Sequence, residues 1–289
     1  MTEIHDRFVI GRGGFVGDQY PDHIERARTV GYRGWEFGSE PDHSPLPPTP
    51  GMLTIGRLSG DQRSRIRRAF EQFDFVSSHA PFWHNEGVSL LYANRALREA
   101  SIEALEQTID FAADLGAHAV GIHLGRSWLR PDQVGEVLRD GLGAVLNRAD
   151  CCGVTIAVEN VPGEMTFSLD RLGELVTDFA HPRLKILLDT GHVTLPPSPA
   201  EPPPADPTGM IADFIHAHAD DIVQMHLHDN DGAGDRHWPV GRGVLDWSRI
   251  AQAIVDSRTP AALILESGEP DEARRALEEY LREAAGRED

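Results

Sequence analysis

This chain of 289 residues has very little cysteine and no long apolar run. Its two cysteines, Cys151 and Cys152, are neighbours, and neighbours rarely form a disulfide because the ring is strained, which predicts a reducing compartment. No apolar stretch approaches the ~18 residues of a membrane span. The first residues carry acidic groups and lack the apolar core of a signal peptide, so we expect a cytoplasmic protein.

Lysine is also scarce, and the 46 acidic residues outnumber the 27 lysines and arginines. Lys185 is the only lysine, and the formal net charge is −19. Such a surface repels phosphate backbones, so nucleic acid is disfavoured as a partner, and no membrane partner is expected. With 40% hydrophobic and 25% charged residues, the composition is that of a globular protein with a sizeable core. A small-molecule substrate is the expected partner. The oligomeric state stays open, with a homo-oligomer as one alternative.

Apolar, β-rich runs alternate with helical patterns along the chain. The predicted strands are Phe8–Gly14, Gly34–Phe37, Asp74–His79, Ala119–Leu124, Thr155–Glu159, Lys185–Asp189, Ile222–His228 and Ala262–Glu266. The predicted helices are Pro21–Val30, Asp61–Phe73, Asn94–Leu115, Pro131–Cys152, Arg171–Phe179, Ile211–Asp220, Trp247–Asp256 and Asp271–Ala285. Strict alternation favours a parallel α/β architecture. Eight complete pairs favour a (β/α)8 TIM barrel, as a single domain over residues 1–289, above a doubly wound sheet.

Two segments depart from this pattern of short connections. The segment Gly38–Gly60 is rich in proline, serine and glycine, and Thr194–Thr208 contains seven prolines, which predicts neither a helix nor a central strand there. Both follow strands, so both are expected on the face of a barrel that carries the active site. A loop that frames the substrate and a disordered insertion are the two alternatives.

Potential metal ligands gather at the strand ends. From the second strand onward, each predicted strand carries an acid or a histidine at its end: Glu36, His79, His123, Glu159, Asp189, His226 and Glu266. The carboxyl ends of barrel strands meet at one face. Four successive strands supply Glu159, Asp189, His226 and Glu266, and three carboxylates with one imidazole suit Mn²⁺, Mg²⁺, Co²⁺, Fe²⁺ or Zn²⁺. We therefore predict a divalent metal bound by these four residues.

The same positions lie in short segments with a recognisable order. They are Ser78-His-Ala-Pro-Phe, Gly121-Ile-His-Leu-Gly, Val158-Glu-Asn, Leu188-Asp-Thr-Gly-His, Met225-His-Leu-His-Asp-Asn, Asp235-Arg-His, Gly241-Arg-Gly-Val-Leu-Asp-Trp and Leu265-Glu-Ser. This order resembles the xylose isomerase-like TIM-barrel superfamily, which includes sugar isomerases and epimerases and the endonuclease IV-type AP endonucleases (family 2). The resemblance implies one metal on the four strand-end ligands. Its endonuclease branch, which binds three zinc ions, implies additional ligands at His79, His123, His192, Asp235 and His237, so more than one ion is an open alternative.

Three chemistries are compatible with such a site. The first is isomerisation or epimerisation of a small sugar, polyol or related hydroxy-carbonyl compound, with an enediolate stabilised by the metal and a proton exchanged at carbon by Glu159 and Glu266. His192, Glu164 and Arg236 are the predicted substrate-binding residues. The second is hydrolysis of a phosphodiester. The third is a lyase, dehydratase or tailoring reaction on a small molecule. We expect the first.

Overall fold

Strands and helices alternate as the spacing of the apolar runs predicts. This computed structural model describes residues 2–14, 20–42, 52–82, 87–126, 129, 131–197 and 200–286. The strands are β1 (Ile10–Gly14), β2 (Gly34–Glu40), β3 (Leu53–Thr54), β4 (Phe75–His79), β5 (Ala119–Ile122), β6 (Thr155–Glu159), β7 (Leu184–Asp189), β8 (Ile222–Leu227) and β9 (Ala262–Leu265). The α-helices of these residues are α1 (Thr2–Arg7), α2 (Tyr20–Val30), α3 (Gly60–Phe70), α4 (Arg95–Leu115), α5 (Pro131–Cys152), α6 (Leu169–Phe179), α7 (Pro207–Ala217), α8 (Trp247–Ser257) and α9 (Pro270–Ala285).

The strand order identifies the fold. Hydrogen bonds order the strands β1-β9-β8-β7-β6-β5-β4-β2, and β1 also pairs with β2. This is the order of a closed, eight-stranded (β/α)8 barrel, so the predicted fold class is confirmed. The short strand β3 is an addition that the sequence did not predict. It pairs with the end of β2 and lies in the segment Gly38–Gly60, of which residues 43–51 are outside the described part of the chain.

Most predicted boundaries agree with the structure to within a few residues, and three differ instructively. Strand β2 continues to Glu40, so Glu36 lies inside the strand, where it accepts a hydrogen bond from Ser77 (2.9 Å). Helix α1 was not predicted, and β1 begins only at Ile10. Helix α7 begins at Pro207 rather than Ile211, because Asp206 caps its first turn and a proline is favourable at the first helical position.

The chain divides into two compact units. The first comprises Met1–Gly13, Glu159–Phe179 and Ile186–Asp289, and the second comprises Gly14–Val158 and Ala180–Lys185. The predicted single domain over residues 1–289 stays a prediction. None of the helices in the described ranges has the length and apolar character needed to cross a membrane. Cys151 and Cys152 are both free thiols at the end of α5.

Strands β8 and β9, with β7 from Ile186 onward, form the part of the first unit that positions the candidate site. They are parallel, and the register places Asp189 of β7 opposite His226 of β8. This register depends on an irregularity: Ile186 pairs with Ile222, but the next residue, Leu187, pairs with Gln224. One extra residue on β8 is a β-bulge, a feature that redirects side chains.

The proline-rich segment Thr194–Thr208 was predicted to contain no helix. It starts inside a buried single turn of 3-10 helix, His192–Thr194, and its last two residues are the first two of α7. The prediction is therefore wrong at both ends. Between them, residues 200–203, 205 and 206 are exposed, and Ser198 and Pro199 lie outside the described residues.

Candidate metal centre

Three buried side chains from β6, β7 and β8 meet at the ends of these strands. Glu159, Asp189 and His226 are at most 1% exposed. The Nδ1 atom of His226 lies 3.5 Å from Oε1 of Glu159 and 3.7 Å from Oδ2 of Asp189. Donor atoms of all three residues lie within 4.8 Å of one another, as ligands of one ion must.

Glu266 completes this group. It follows β9 directly, and its Oε2 lies 3.0 Å from the same Nδ1 of His226. Its side chain is 22% exposed, whereas that of Glu159 is 2% exposed. The structure therefore brings together all four residues that the sequence predicted as ligands. We call Glu159, Asp189, His226 and Glu266 the strand-end cluster.

The chemistry of the strand-end cluster fits a divalent cation. Three carboxylates and one imidazole supply the oxygen and nitrogen donors that such ions prefer. Burying several carboxylates together is strongly unfavourable unless a positive charge compensates them. Burial alone would raise the pKa of Asp189, but the neighbouring His192 and His228 lower it. Burial likewise opposes ionisation of Glu266, whose pKa is lowered by the adjacent His226. Both acids are therefore ionised at neutral pH and available as ligands.

Hydrogen bonds to the backbone hold the acidic ligands in place. The side chain of Asn160, which follows β6, donates to the carbonyl of Asp189 (2.9 Å) and accepts from its N–H (2.7 Å). The N–H of His192 donates to Oδ1 of Asp189 (2.7 Å). The hydroxyl of Thr166 donates to the carbonyl of Glu159 (2.6 Å). The geometry of the strand-end cluster is thus set by the protein before any ion binds.

Gln224 orients the histidine ligand. Its side-chain amide nitrogen lies 3.0 Å from Nε2 of His226, so the amide N–H donates to this ring nitrogen. This contact engages Nε2 and leaves Nδ1 as the nitrogen that faces the carboxylates. An imidazole that binds a metal through Nδ1 carries its proton on Nε2, and a half-turn of the Gln224 amide would bring its oxygen to that position as the acceptor. Sequence reasoning did not single out Gln224, although it lies two residues before His226 on the same face of β8.

A second group lies on loops after β7 and β8. Oδ2 of Asp235 is 3.5 Å from Nε2 of His192 and 3.1 Å from Nε2 of His237. His192 is 10% exposed at the side chain, whereas Asp235 and His237 are 39% and 36% exposed. We call His192, Asp235 and His237 the loop cluster. All three were predicted as additional ligands, and the structure brings them together.

The two histidines of the loop cluster are strong bases in the metal-free protein. Burial alone would lower the pKa of His192, but the charge of Asp189 and the interaction with Asp235 raise it to about 10. Burial also opposes protonation of His237, whose pKa is raised to about 9 by its hydrogen bond with Asp235 and the charge of Glu266. Burial would raise the pKa of Asp235, but these two histidines hold it far below its ordinary value. A cation at the loop cluster would have to displace protons.

Sequence reasoning missed His228. This residue is fully buried, and its Nε2 lies 3.0 Å from Oδ2 of Asp189. Its donor atoms lie within 4.8 Å of those of Asp189 and His192, and also of those of Asp235 and His237. It is therefore in contact with both clusters. The pattern His226-x-His228 carried a usable signal, because residues two apart on a strand share a face.

The two remaining predicted ligands lie in the second unit. His79 ends β4 and His123 follows β5, and their ring centroids are 5.1 Å apart. Phe82 packs against both rings, at 5.4 Å from His79 and 4.8 Å from His123. Nδ1 of His79 contacts the carbonyl of Ala80 (2.9 Å), which leaves Nε2 as the ligating nitrogen if this histidine binds an ion. Their role as ligands stays a prediction.

The other two predicted substrate-binding residues lie in different environments. Glu164 is buried where a 3-10 turn begins after β6. Arg236 is half-exposed, and its guanidinium donates to Asp231 (3.1 Å) in the same loop. This ion pair holds Arg236 within its own loop, and its predicted contact with substrate stays a prediction.

Comparison with known proteins agrees with this architecture. Residues 5–284 match the family model described as xylose isomerase-like TIM barrel. An uncharacterized protein of Methanocaldococcus jannaschii is 25% identical over 285 residues, which cover 95% of this chain and 89% of that protein. A probable endonuclease 4 of Mycobacterium leprae is 30% identical over 219 residues, 72% of this chain and 78% of the relative. A solved structure of a D-tagatose 3-epimerase-like protein has a TM-score of 0.75 at 19% identity, covering 98% of this chain and 100% of that one.

These similarities confirm the resemblance that the strand-end segments predicted. The match to the family model spans nearly the whole chain, and the similar proteins include an epimerase-like protein and a probable endonuclease. At 19% identity, the likeness to the epimerase-like protein shows the fold alone.

Proposed function

Because the chain belongs to the xylose isomerase-like TIM-barrel family, we propose that it is a divalent-metal-dependent isomerase or epimerase of a small sugar, polyol or related hydroxy-carbonyl compound. The observation that supports this proposal is the strand-end cluster. Two glutamates, Glu159 and Glu266, approach the same Nδ1 atom of His226 at 3.5 Å and 3.0 Å. A pair of carboxylates at one centre is what proton removal and return at carbon require.

Each glutamate has a distinct part in the proposed reaction. When bound, a divalent metal supplies polarisation of neighbouring oxygens on the substrate. Glu266 is the more exposed of the two, so it is the better placed to take a proton from a carbon of the bound substrate. Glu159 is enclosed and, in its protonated form, would donate a proton of its own on the other side; Glu266 is then protonated, Glu159 is ionised, and exchange with solvent resets the pair. His192 is the candidate for holding a substrate hydroxyl, since its Nε2 lies at the loop cluster while Nδ1 contacts the carbonyl of Asn160 (2.9 Å).

A phosphodiester hydrolase is the second candidate. The observation that favours it is the loop cluster, because His192, Asp235 and His237 are the residues at which the endonuclease branch places additional metal ligands. The similarity to a probable endonuclease 4 points the same way. Against it stands the net charge of −19, which disfavours a polyanionic substrate such as DNA. We therefore place a small hydroxy-carbonyl substrate ahead of a nucleic acid.

Isotope exchange distinguishes these chemistries. The metal-loaded protein is incubated in heavy water with a panel of ketoses, inososes and hydroxy-keto acids. An isomerase or epimerase places deuterium on the carbon next to the carbonyl. Substituting Glu266→Gln should suppress this exchange about 100-fold or more, in line with typical general acid–base contributions. The matched control is Glu279→Gln, which changes an exposed glutamate of α9 and should leave the exchange rate unchanged.

The same incubation, repeated in oxygen-labelled water with a duplex that contains an abasic site added to the panel, defines the outcomes that contradict the proposal. Incorporation of labelled oxygen from water, together with cleavage of a duplex that contains an abasic site, would establish the hydrolase instead. A product that has lost the mass of water would establish a dehydratase. Unchanged exchange in the Glu266→Gln variant would remove Glu266 from the reaction while leaving the fold intact.

A further inference from the structure

The buried ring of His228 makes one directed contact with a predicted metal ligand. Its Nε2 lies 3.0 Å from Oδ2 of Asp189. Because an ionised carboxylate can only accept, Nε2–H is the donor in this hydrogen bond. The other ring nitrogen, Nδ1, is buried and has no hydrogen-bond partner among the residues that the structure describes. His228 therefore presents its proton to Asp189.

Both oxygens of Asp189 are held by this arrangement. Oδ1 accepts from the N–H of His192 (2.7 Å), and Oδ2 accepts from His228. Thr190 restrains the backbone at His228. Its hydroxyl proton is shared between the carbonyl of His228 (3.0 Å) and that of His226 (3.2 Å). With both oxygens engaged, rotation of the Asp189 carboxylate is restricted.

The neighbouring residues restrict the His228 ring to one position. It stacks on the ring of His237, with centroids 4.2 Å apart and planes 6° apart, and it meets His192 edge to face at 5.9 Å. Gly191 provides the remaining space. A Cβ added to Gly191 would overlap with Cε1 and Nδ1 of His228 and would lie 2.7 Å from Nε2.

The backbone of Gly191 does not itself require glycine. Its dihedral angles, φ −68° and ψ −38°, are those of a right-handed helix, which alanine adopts readily. The absence of a side chain at position 191 is therefore explained by the neighbouring imidazole and not by local conformation.

We infer that His228 is a positioning residue that orients the Asp189 carboxylate for metal binding through Nε2–H, and that Gly191 is glycine to admit its ring. This inference rests on the metal centre of the proposed function. Hydrogen-bond partners of ligating groups fix the geometry of a metal site, and their loss typically costs about 10–100-fold in metal affinity.

Titration with Mn²⁺ tests the hydrogen bond. His228→Leu removes the donor and should weaken Mn²⁺ binding about 10–100-fold. His228→Gln is the matched variant, because its amide nitrogen is as many bonds from Cα as Nε2 is, and it should bind Mn²⁺ within a few-fold of wild type. Equal affinity in the leucine variant, or no rescue by glutamine, would overturn the inference. Loss of one whole equivalent of Mn²⁺ in the leucine variant would also overturn it, by making His228 a ligand.

Thermal unfolding of the metal-free protein tests the packing. Gly191→Ala should lower the Tm by several degrees in the wild-type background and have little effect in the His228→Ala background, because the overlap is then gone. Equal effects in both backgrounds would refute the relation between the two residues. A wild-type protein that binds no divalent metal would refute the metal centre and with it the role assigned to His228. The comparison of Gly191→Ala in the two backgrounds would still test the packing at Gly191.

Discussion

The two clusters of potential ligands differ in how the protein holds them. In the strand-end cluster, Glu159, Asp189 and His226 stand on strands, are at most 1% exposed, and are tied to the backbone through neighbours such as Asn160. In the loop cluster, His192 and His237 each contact a backbone carbonyl through Nδ1, and they are joined through Asp235, whose side chain is 39% exposed. One arrangement is fixed by the sheet, and the other depends on an exposed acid in a loop.

This difference has a consequence for metal binding. A preorganised set of ligands loses little conformational freedom when an ion binds. The loop cluster instead begins from protonated histidines, which must lose their protons before they can act as ligands. We therefore expect the strand-end cluster to bind the tighter ion, and the loop cluster to bind weakly or to contact substrate.

Matched Asp→Asn substitutions in the two clusters should give the largest difference in metal affinity. Asp189→Asn keeps the shape of the side chain but removes a charged ligand, and should weaken the tightest divalent-metal site at least about 100-fold, since loss of an outer-shell partner alone costs about 10–100-fold. Asp235→Asn should leave that site within a few-fold of wild type. If the loop cluster holds a second ion, elemental analysis of this variant should show one ion fewer per chain.

The surface variant Asp213→Asn on α7 is the control for these measurements, and its affinity should equal that of the wild type. Unchanged metal affinity in Asp189→Asn, or an equally large loss in Asp235→Asn, would contradict the ranking of the two clusters.

The next largest effect should be on the Tm of the metal-free protein as a function of pH, which the histidines of the loop cluster should control. Folding raises the pKa of His192 to about 10 and of His237 to about 9, from an ordinary value near 6.5. A raised pKa in the folded state stabilises the fold below the unfolded value, and this stabilisation is lost as pH rises through the folded value. The Tm of the metal-free protein should therefore fall between about pH 6.5 and 10.

Replacing both His192 and His237 by Gln should flatten this decline. Metal should reverse the trend, because uptake at these residues releases protons and becomes tighter as pH rises. A Tm that increases across this pH range in the metal-free wild type would show that the loop cluster is not protonated.

The smallest effects are expected from the two asparagines that support the clusters. Asn160→Ala leaves the buried N–H and carbonyl of Asp189 without their side-chain partner and should cost about 2 kcal/mol of unfolding free energy. Asn230 accepts from the N–H of Arg236 (2.6 Å) and donates to the carbonyl of Gly191 (2.9 Å), and so supports the loop. Asn230→Ala should cost about 1 kcal/mol, because the partly buried N–H of Arg236 can turn to water.

Unfolding in urea measures both costs, and equal m-values would show that the unfolded states are comparable. An Asn230→Ala variant that is less stable than Asn160→Ala would indicate that the loop, and not the strand ends, carries the rigid part of the site.

The fold and the strand-end cluster were predictable because each depends on a local signal. Apolar runs mark buried parallel strands, and the carboxyl ends of such strands share one edge, so Glu159, Asp189, His226 and Glu266 could be placed together without any knowledge of their contacts. The helix Pro131–Cys152 and the strand Thr155–Glu159 were predicted with their observed boundaries.

The features that were missed depend on partners distant in sequence or on weak local signals. Helix α1 is six residues long, too short to show a periodic pattern. The need for glycine at position 191 is imposed by His228, and nothing in the neighbouring sequence reveals it. Gln224 and His228 were accessible through strand alternation around His226, but their roles follow from side-chain contacts, with His226 on the same strand for Gln224 and with Asp189 of β7 for His228.

The extra residue in β8 has a practical consequence for anyone who compares or grafts this site. If β7 and β8 paired without the bulge, counting forward from Ile222 would place Met225 across from Asp189, and the imidazole of His226 would project from the opposite side of the sheet. The position of the histidine ligand is therefore found by counting back two residues from His228 at the carboxyl end of the strand, and not by counting forward from Ile222. An alignment that slides this strand by a single step puts Met225 or Leu227 in the place of the histidine ligand.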